Sequence, residues 1–295
     1  MPQITANDIA LHYEDHGDPA HPVMLLIMGF GAQLTLWPIE FVDALVARGF
    51  RVIRYDNRDV GLSQKFDGVK APGPVKLTLM GKIGMTPNVP YTLADMADDG
   101  AGLMDALGIE RAHIVGASMG GMIAQHFAAR HSGKTLSLTT VFSTTGNPKL
   151  PAASKEAMKA LITRPASMEE DALVAHGIAL RRAIASPGFP LDEVRLADGV
   201  RETVRRSSYP EGAGRHLAAI MADGDRRTML KDISAPTLVL HGEADPLVPV
   251  EGGRDTAANI DGAKLHTIPG WAHDLPLELV DTLAEKIADH AKAAR

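Results

Sequence analysis

Short apolar runs alternate with amphipathic segments along much of the chain. Residues 23–28 (VMLLIM) are apolar without a break, which is typical of a central parallel strand covered on both faces. Other strands are predicted near Ile4 and at residues 9–13, 51–55, 113–115, 136–142, 237–240 and 264–268. Helices are predicted around Phe41, Leu45 and Val46 and at residues 93–107, 119–130, 252–259 and 278–293. Strands that alternate with helices form mostly parallel sheets, so the pattern predicts an α/β fold.

The pattern changes between residues 148 and 230, where β-rich runs give way to Ala, Arg, Met, Glu and Leu at helical spacing. Three prolines break this segment: Pro165, Pro187 and Pro210. We therefore expect a core formed by residues 1–147 and 231–295, with a helical insertion at residues 148–230.

A second interruption lies at residues 64–90, which are rich in Gly, Pro and Lys and predict a long surface excursion. Its apolar residues include Leu77, Leu79, Met80, Ile83 and Met85. They fit either a mobile flap or an interface, and the sequence leaves both open.

Composition narrows the classes of function. The chain has 295 residues, and its net charge of −6 disfavours a nucleic-acid partner. It has no cysteine, which excludes disulfides, thiolate metal sites and a cysteine nucleophile. The N-terminal residues lack the basic start and apolar run of a secretory signal, and no apolar run is long enough to span a membrane. A cytoplasmic protein is therefore expected.

Residues 116–120 (GASMG) fit the pattern G-x-S-x-G, with Ser118 at its centre. The pattern follows a predicted strand and precedes a predicted helix, which is the setting in which a strained turn exposes a serine hydroxyl. The helix N-terminus adds the positive end of a dipole. Ser118 is thus a candidate nucleophile. The alternative is that Ser118 only caps the helix and the glycines only form a turn.

A serine hydroxyl needs a base within hydrogen-bond reach, and the base needs an orienting acid. His273 follows the last predicted strand, at the same sheet edge as Ser118. Asp245 follows the strand at residues 237–240, and Glu243 is its competitor two residues earlier. The order Ser118, Asp245, His273 is that of α/β-hydrolases.

The other histidines have simpler explanations. His113, His126 and His266 fall within predicted elements and are expected to be structural. His12, His16 and His21 are expected to be exposed, and we expect no metal site there.

An acyl-transfer site also needs N–H donors for the oxyanion. The backbone N–H of Met119, next to the nucleophile, is one candidate. The other is the N–H of Phe30 in the loop after residues 23–28, with Gly29 and Gly31 as alternatives.

Four segments carry a family resemblance: residues 54–63 (RYDNRDVGLS), 116–121 (GASMGG), 241–249 (HGEADPLVP) and 270–276 (GWAHDLP). With them the chain resembles the α/β-hydrolase superfamily over its whole length. Within the esterase and lipase branch it is similar to aclacinomycin methylesterases and related bacterial carboxylesterases. The resemblance implies a mostly parallel eight-stranded sheet flanked by helices, with a helical cap between the sixth and seventh strands.

The sequence departs from that family at Met28, where many relatives have a histidine that often braces the oxyanion loop. Because the oxyanion donors are backbone groups, the chemistry should survive the change. Asp56 and Arg58 follow the strand at residues 51–55, and the resemblance implies that they brace loops through hydrogen bonds; a role in substrate binding is the less favoured alternative.

A serine nucleophile argues against haloalkane dehalogenases and epoxide hydrolases, which use an aspartate. We expect hydrolysis of small to medium carboxylic esters through an acyl-enzyme, without metal or cofactor. The alternatives are a lactonase, a C–C bond hydrolase acting on an aromatic catabolite, and a non-catalytic ligand receptor. The physiological ester, its chain length, the cap residues that line the pocket, and the choice between monomer and homodimer stay open. Met158, Met168 and Met221 are candidates for that lining, but helical methionines more often pack in a core.

Overall fold

The computed structural model describes residues 3–82 and 87–294. Its strands are β1 (Gln3–Ala6), β2 (Ile9–His16), β3 (Val23–Ile27), β4 (Arg51–Tyr55), β5 (Ala112–Ala117), β6 (Thr135–Val141), β7 (Thr237–Gly242) and β8 (Lys264–Ile268). They form one sheet in the order β1-β2-β4-β3-β5-β6-β7-β8. The pairings β1–β2 and β2–β4 are antiparallel, and the other five are parallel. The predicted α/β fold with an eight-stranded, mostly parallel sheet is confirmed.

The α-helices are α1 (Ile39–Ala47), α2 (Pro74–Lys82), α3 (Leu93–Ala106), α4 (Met119–Arg130), α5 (Lys155–Ile162), α6 (Glu170–Ala183), α7 (Glu193–Arg206), α8 (Pro210–Asp223), α9 (Arg227–Leu230), α10 (Glu251–Asn259) and α11 (Leu277–Ala293). Within the described ranges, no helix combines the length and hydropathy needed to cross a membrane.

The sheet is covered on both faces. Leu25 and Ile27 of β3 belong to an apolar cluster with α3 and α4, whereas Met24 and Leu26 belong to a second cluster with α1 and α11. Every residue of β3 is therefore buried, because alternate side chains enter two different cores. This is the physical reason for the unbroken apolar run.

Local signals set the helix ends. Thr92 caps α3 by accepting from the backbone N–H of Asp95, whose side chain accepts in return from the N–H of Thr92. Gly108 follows the end of α3 with φ +68° and Gly49 follows α1 with φ +88°, conformations that favour glycine. The predicted bounds of α3, residues 93–107, are right to within one residue.

In this part of the chain the structure adds a helix to the sequence prediction and overturns the expected exposure of His12. The excursion at residues 64–90 contains α2, which packs against α8 and buries Leu77 while Leu79 stays exposed. Ile83 and Met85 lie outside the described residues. His12, expected to be exposed, is fully buried in β2, because its backbone is bonded to Ser63 and Asp56 in the chain after β4.

Helices α5 to α9 lie between β6 and β7, where the sequence predicts an insertion. The facing sides of α6 and α7 share a small apolar cluster of Val174, Leu196 and Val200. Loops at the carboxyl ends of the parallel strands face this segment: the backbone N–H of His273, after β8, donates to Ile184 O at 3.1 Å. Met158 and Met168 are exposed.

Candidate active site

Ser118 sits in a tight turn between β5 and α4, with φ 56° and ψ −122°. A Cβ added to Gly116 would lie 2.1 Å from Gly120 O, and one added to Gly120 would lie 2.1 Å from Ile27 O. The turn therefore requires glycine at both motif positions. Ser118 occupies the N-cap position of α4, yet its hydroxyl makes no capping hydrogen bond. The alternative of a simple helix cap does not account for this side chain.

The structure brings Ser118, His273 and Asp245 together. His273 Nε2 lies 2.9 Å from Ser118 Oγ, and His273 Nδ1 lies 2.7 Å from Asp245 Oδ2. Because an ionised carboxylate only accepts hydrogen bonds, Nδ1 carries the proton and Nε2 is free to accept the proton of the hydroxyl. Asp245 Oδ1 accepts two backbone N–H groups at 2.8 Å, which fixes the carboxylate.

Glu243 is not brought to His273. Its Oε1 accepts from Thr267 Oγ1 at 2.7 Å in an exposed position after β7. His241 is closer to the acid, with its Nε2 3.7 Å from Asp245 Oδ2. That nitrogen also lies 2.8 Å from Val248 O. Burial lowers the pKa of His241, so it stays neutral at neutral pH beside the carboxylate.

The loop that carries His273 is held from several directions. The ring centroid of His273 lies 4.5 Å from the ring centroid of Phe142. Fully buried Trp271 donates its indole N–H to Asp274 O at 2.8 Å. Ser186, at the end of the α6 region, donates its hydroxyl to the Asp274 carboxylate, and burial raises the pKa of that carboxyl. The imidazole is thereby positioned by both the sheet and the insertion.

Phe30 lies in the loop after β3 and Met119 is the first residue of α4, and both flank Ser118 because β3 and β5 are neighbours in the sheet. In the described part of the chain, neither backbone N–H has a hydrogen-bond acceptor. The N–H of Gly31 instead donates to His216 Nδ1 at 3.2 Å. A Cβ added to Gly29 would lie 3.0 Å from Ser118 Cβ, so this loop packs directly on Ser118.

His216 was not found from the sequence. Its Nε2 lies 2.9 Å from Arg58 O, so Nε2 donates and Nδ1 accepts, as a neutral imidazole requires. Burial lowers its pKa to about 4. His216 belongs to α8 and lies 185 residues from Gly31, and no local pattern marks it. It supports the same loop for which Met28 provides no histidine.

Asp56 and Arg58 make the kind of contacts that the bracing role predicts. Asp56 accepts from the backbone N–H groups of Leu34 and Leu62, each at 2.8 Å, and lies 2.8 Å from Arg206 Nη2. Arg58 is bonded twice to the buried carboxylate of Asp99, at 2.6 and 2.7 Å. These bonds fix the segment after β4 beside the sheet edge.

Comparisons with known proteins identify the family and several relatives of the chain. Residues 22–278 match the family model described as alpha/beta hydrolase fold. The chain is 29% identical to rhodomycin D methylesterase DauP of Streptomyces sp. strain C5, covering 99% of this chain and 98% of the relative. It is 26% identical to the bifunctional esterase/perhydrolase DCH of Acinetobacter calcoaceticus, covering 96% of each.

Solved structures of similar fold cover nearly the whole chain. The enol-lactonase of Burkholderia xenovorans LB400 is 26% identical, with a TM-score of 0.72 over 99% of this chain and 100% of that one. A meta-cleavage product hydrolase of Pseudomonas fluorescens IP01 has a TM-score of 0.77 at 21% identity, covering 100% of this chain and 98% of that one. At that identity the likeness concerns the fold.

Proposed function

The chain belongs to the α/β-hydrolase fold family, and from this we propose that it hydrolyses small to medium carboxylic esters through an acyl-enzyme on Ser118. The single observation that carries the proposal is the hydrogen-bonded series from Ser118 through His273 to Asp245. The methylesterase and the esterase/perhydrolase among the relatives support an ester as the substrate.

In the first step Ser118 Oγ attacks the ester carbonyl while its proton moves to His273 Nε2. Asp245 holds the imidazole in the tautomer that can accept this proton and stabilises the imidazolium that results. Collapse of the tetrahedral intermediate breaks the bond to the alcohol, which takes the proton from His273. A water molecule activated by His273 then hydrolyses the acyl-enzyme and releases the acid.

The oxyanion of both tetrahedral intermediates is assigned to the N–H groups of Phe30 and Met119. Each such donor contributes roughly 3–4 kcal/mol of transition-state stabilisation. The two groups have no acceptor among the described residues, which leaves both available for this role. No step needs a metal or an organic cofactor.

Residues 148–230 are proposed to form a cap over the core of residues 1–147 and 231–295. A small-molecule ester would bind between the cap and the carboxyl edge of the sheet. The absence of a nucleic-acid partner and a cytoplasmic location stay predictions of the sequence, which leaves the choice between monomer and homodimer open.

Lactone hydrolysis is a second candidate, favoured by the likeness to the enol-lactonase. It uses the same acyl-enzyme, except that the leaving alcohol remains attached to the acyl group. C–C bond hydrolysis is a further alternative, for which the meta-cleavage product hydrolase shows the same fold. The complete Ser118–His273–Asp245 series argues against a non-catalytic receptor.

A fluorophosphonate probe tests the nucleophile directly. We expect one covalent label, on Ser118, and hydrolysis of p-nitrophenyl esters between acetate and palmitate that disappears in Ser118→Ala. Hydrolysis that survives in Ser118→Ala, or a folded protein that takes no label, contradicts the proposal. A short-chain optimum would separate an esterase from a lipase.

A further inference from the structure

A short segment of the insertion, residues 184–188, runs antiparallel to the loop that carries the candidate base. At one end of the contact Gly188 donates its backbone N–H to Gly270 O at 2.9 Å. At the other end His273 donates its backbone N–H to Ile184 O at 3.1 Å. The two segments thus face each other in reverse order, and the backbone of the base itself is bonded to the insertion.

The two segments also approach each other very closely. A Cβ added to Gly188 would lie 2.7 Å from the Cα of Gly270, and one added to Gly270 would lie 2.9 Å from the Cα of Gly188. Gly270 has φ +73°, a conformation that favours glycine. A side chain at either position would push the segments apart, so the contact requires glycine on both sides.

Ser186 lies in the middle of this contact and is buried. Its hydroxyl accepts the backbone N–H of Ala272 at 2.8 Å and donates to the carboxylate of Asp274. The backbone N–H of Ser186 donates to the same carboxylate, at 3.3 Å from Oδ2. One residue of the insertion therefore holds both the residue before His273 and the residue after it.

Removal of the Ser186 hydroxyl would leave two groups of this loop without their partner. Ala272 is fully buried, so water cannot replace the acceptor of its N–H. The Asp274 carboxyl is half-buried, and its pKa is raised by burial, with smaller effects from the nearby charges of His273 and Asp245. A buried polar group without a partner is unfavourable, so we expect the loop to shift until these groups regain hydrogen bonds.

We propose that Ser186 is a positioning residue for the reaction: it holds His273 at the distance from Ser118 at which proton transfer occurs. This rests on the proposed ester hydrolysis at Ser118. A general base has to lie about 2.6–3.2 Å from the group whose proton it takes, and a displacement of about 1 Å can lower the rate a hundred-fold. The insertion then takes part in catalysis by setting the geometry of the base.

The test uses a fluorophosphonate probe and p-nitrophenyl esters to separate reaction rate from folded fraction. Loss of folded protein lowers the final amount of label, whereas a displaced base lowers the rate constant of labelling, because the base activates Ser118. In Ser186→Ala the labelling rate constant should fall about ten- to a hundred-fold, with the final amount of label unchanged. The values of kcat and kcat/KM should fall by the same factor, which marks an interaction needed in the transition state.

Two further variants complete the comparison. Ser186→Thr keeps the hydroxyl and should label faster than Ser186→Ala. Ser154→Ala removes a hydroxyl of the same insertion that accepts from the backbone N–H of Ala157 at 3.1 Å, far along the chain from residues 184–188. It should leave the labelling rate constant at the wild-type value.

An unchanged labelling rate constant in Ser186→Ala, a fall as large in Ser154→Ala, or equal rates in the Thr and Ala variants overturns the proposal. If Ser186→Ala does not fold, Asp274→Asn answers the same question, because it keeps the size of the side chain and removes one acceptor of Ser186; a wild-type rate constant in that variant overturns the proposal equally. Failure of the proposed ester hydrolysis is distinguishable, because the wild type then takes no label on Ser118. Labelling of the wild type with no change in Ser186→Ala refutes only the role of Ser186.

Discussion

His216 makes the free energy of unfolding depend on pH in a way that one substitution can isolate. Its fully buried imidazole is bonded to Gly31 and Arg58, and burial lowers its pKa from 6.5 to about 4. The charged groups that act on it are Asp59, Arg215 and Arg58, and the first two neutralise each other at 2.7 Å. His216→Asn removes the titration and keeps an acceptor near the position of Nδ1.

The sign of the effect follows from proton binding. Between pH 6.5 and 4 the unfolded chain binds a proton at His216 that the folded chain does not, so stability falls as the pH falls. With 1.36 kcal/mol per pKa unit, the folded protein loses roughly 2–3 kcal/mol through this residue between pH 7.5 and pH 4.5. The loss is absent above about pH 7, where both states are neutral at this position.

The measurement is urea unfolding of the wild type and His216→Asn at pH 7.5 and pH 4.5, at one temperature and ionic strength. Between pH 7.5 and pH 4.5 the wild type should lose roughly 2–3 kcal/mol more of its free energy of unfolding than His216→Asn loses. Other histidines with lowered pKa, such as His241 and His290, are common to both proteins and cancel. Two parallel stability curves would refute the assignment of a buried, neutral His216.

Three further outcomes follow from the site and its supports. Asp245→Asn should lower kcat by about 10⁴-fold because the imidazole loses its orienting acceptor, whereas Glu243→Gln should change kcat little. The reverse ranking would assign the orienting acid to Glu243. Gly29→Ala places a Cβ 3.0 Å from the Cβ of the nucleophile and should lower kcat by up to about 100-fold, while Gly133→Ala, with open space around it, should not. Asp99→Asn leaves a buried guanidinium unpaired and should cost about 3–5 kcal/mol in urea unfolding; a cost below about 1 kcal/mol, typical of exposed pairs, contradicts this.

Much of the sheet and its edge can be predicted from sequence because the signals are local. β4 and β8 and helix α4 begin and end at the predicted residues, since apolar periodicity and glycine boundaries act within a few positions. The meeting of Ser118, Asp245 and His273 follows from one rule, that the carboxyl ends of parallel strands share an edge.

Features that depend on distant partners could not be predicted. α2 has a weak pattern of its own and is held by α8, more than a hundred residues away. The burial of His12 depends on chain that folds over β2 from beyond β4. The hydrogen bond between Gly31 and His216 joins residues 185 positions apart, and no spacing along the chain encodes it.

The separation of the candidate active-site residues along the chain has a consequence for folding. Ser118 and His273 are 155 residues apart, and Gly31 and His216 are 185 apart, so the site consists of contacts of high sequence separation. Such contacts form late, because loop closure costs entropy before it is rewarded. Helical circular dichroism should therefore return early during refolding, and hydrolytic activity should return only with the final assembly of β7 and β8. The recovery of hydrolytic activity during refolding therefore reports when the fold is complete.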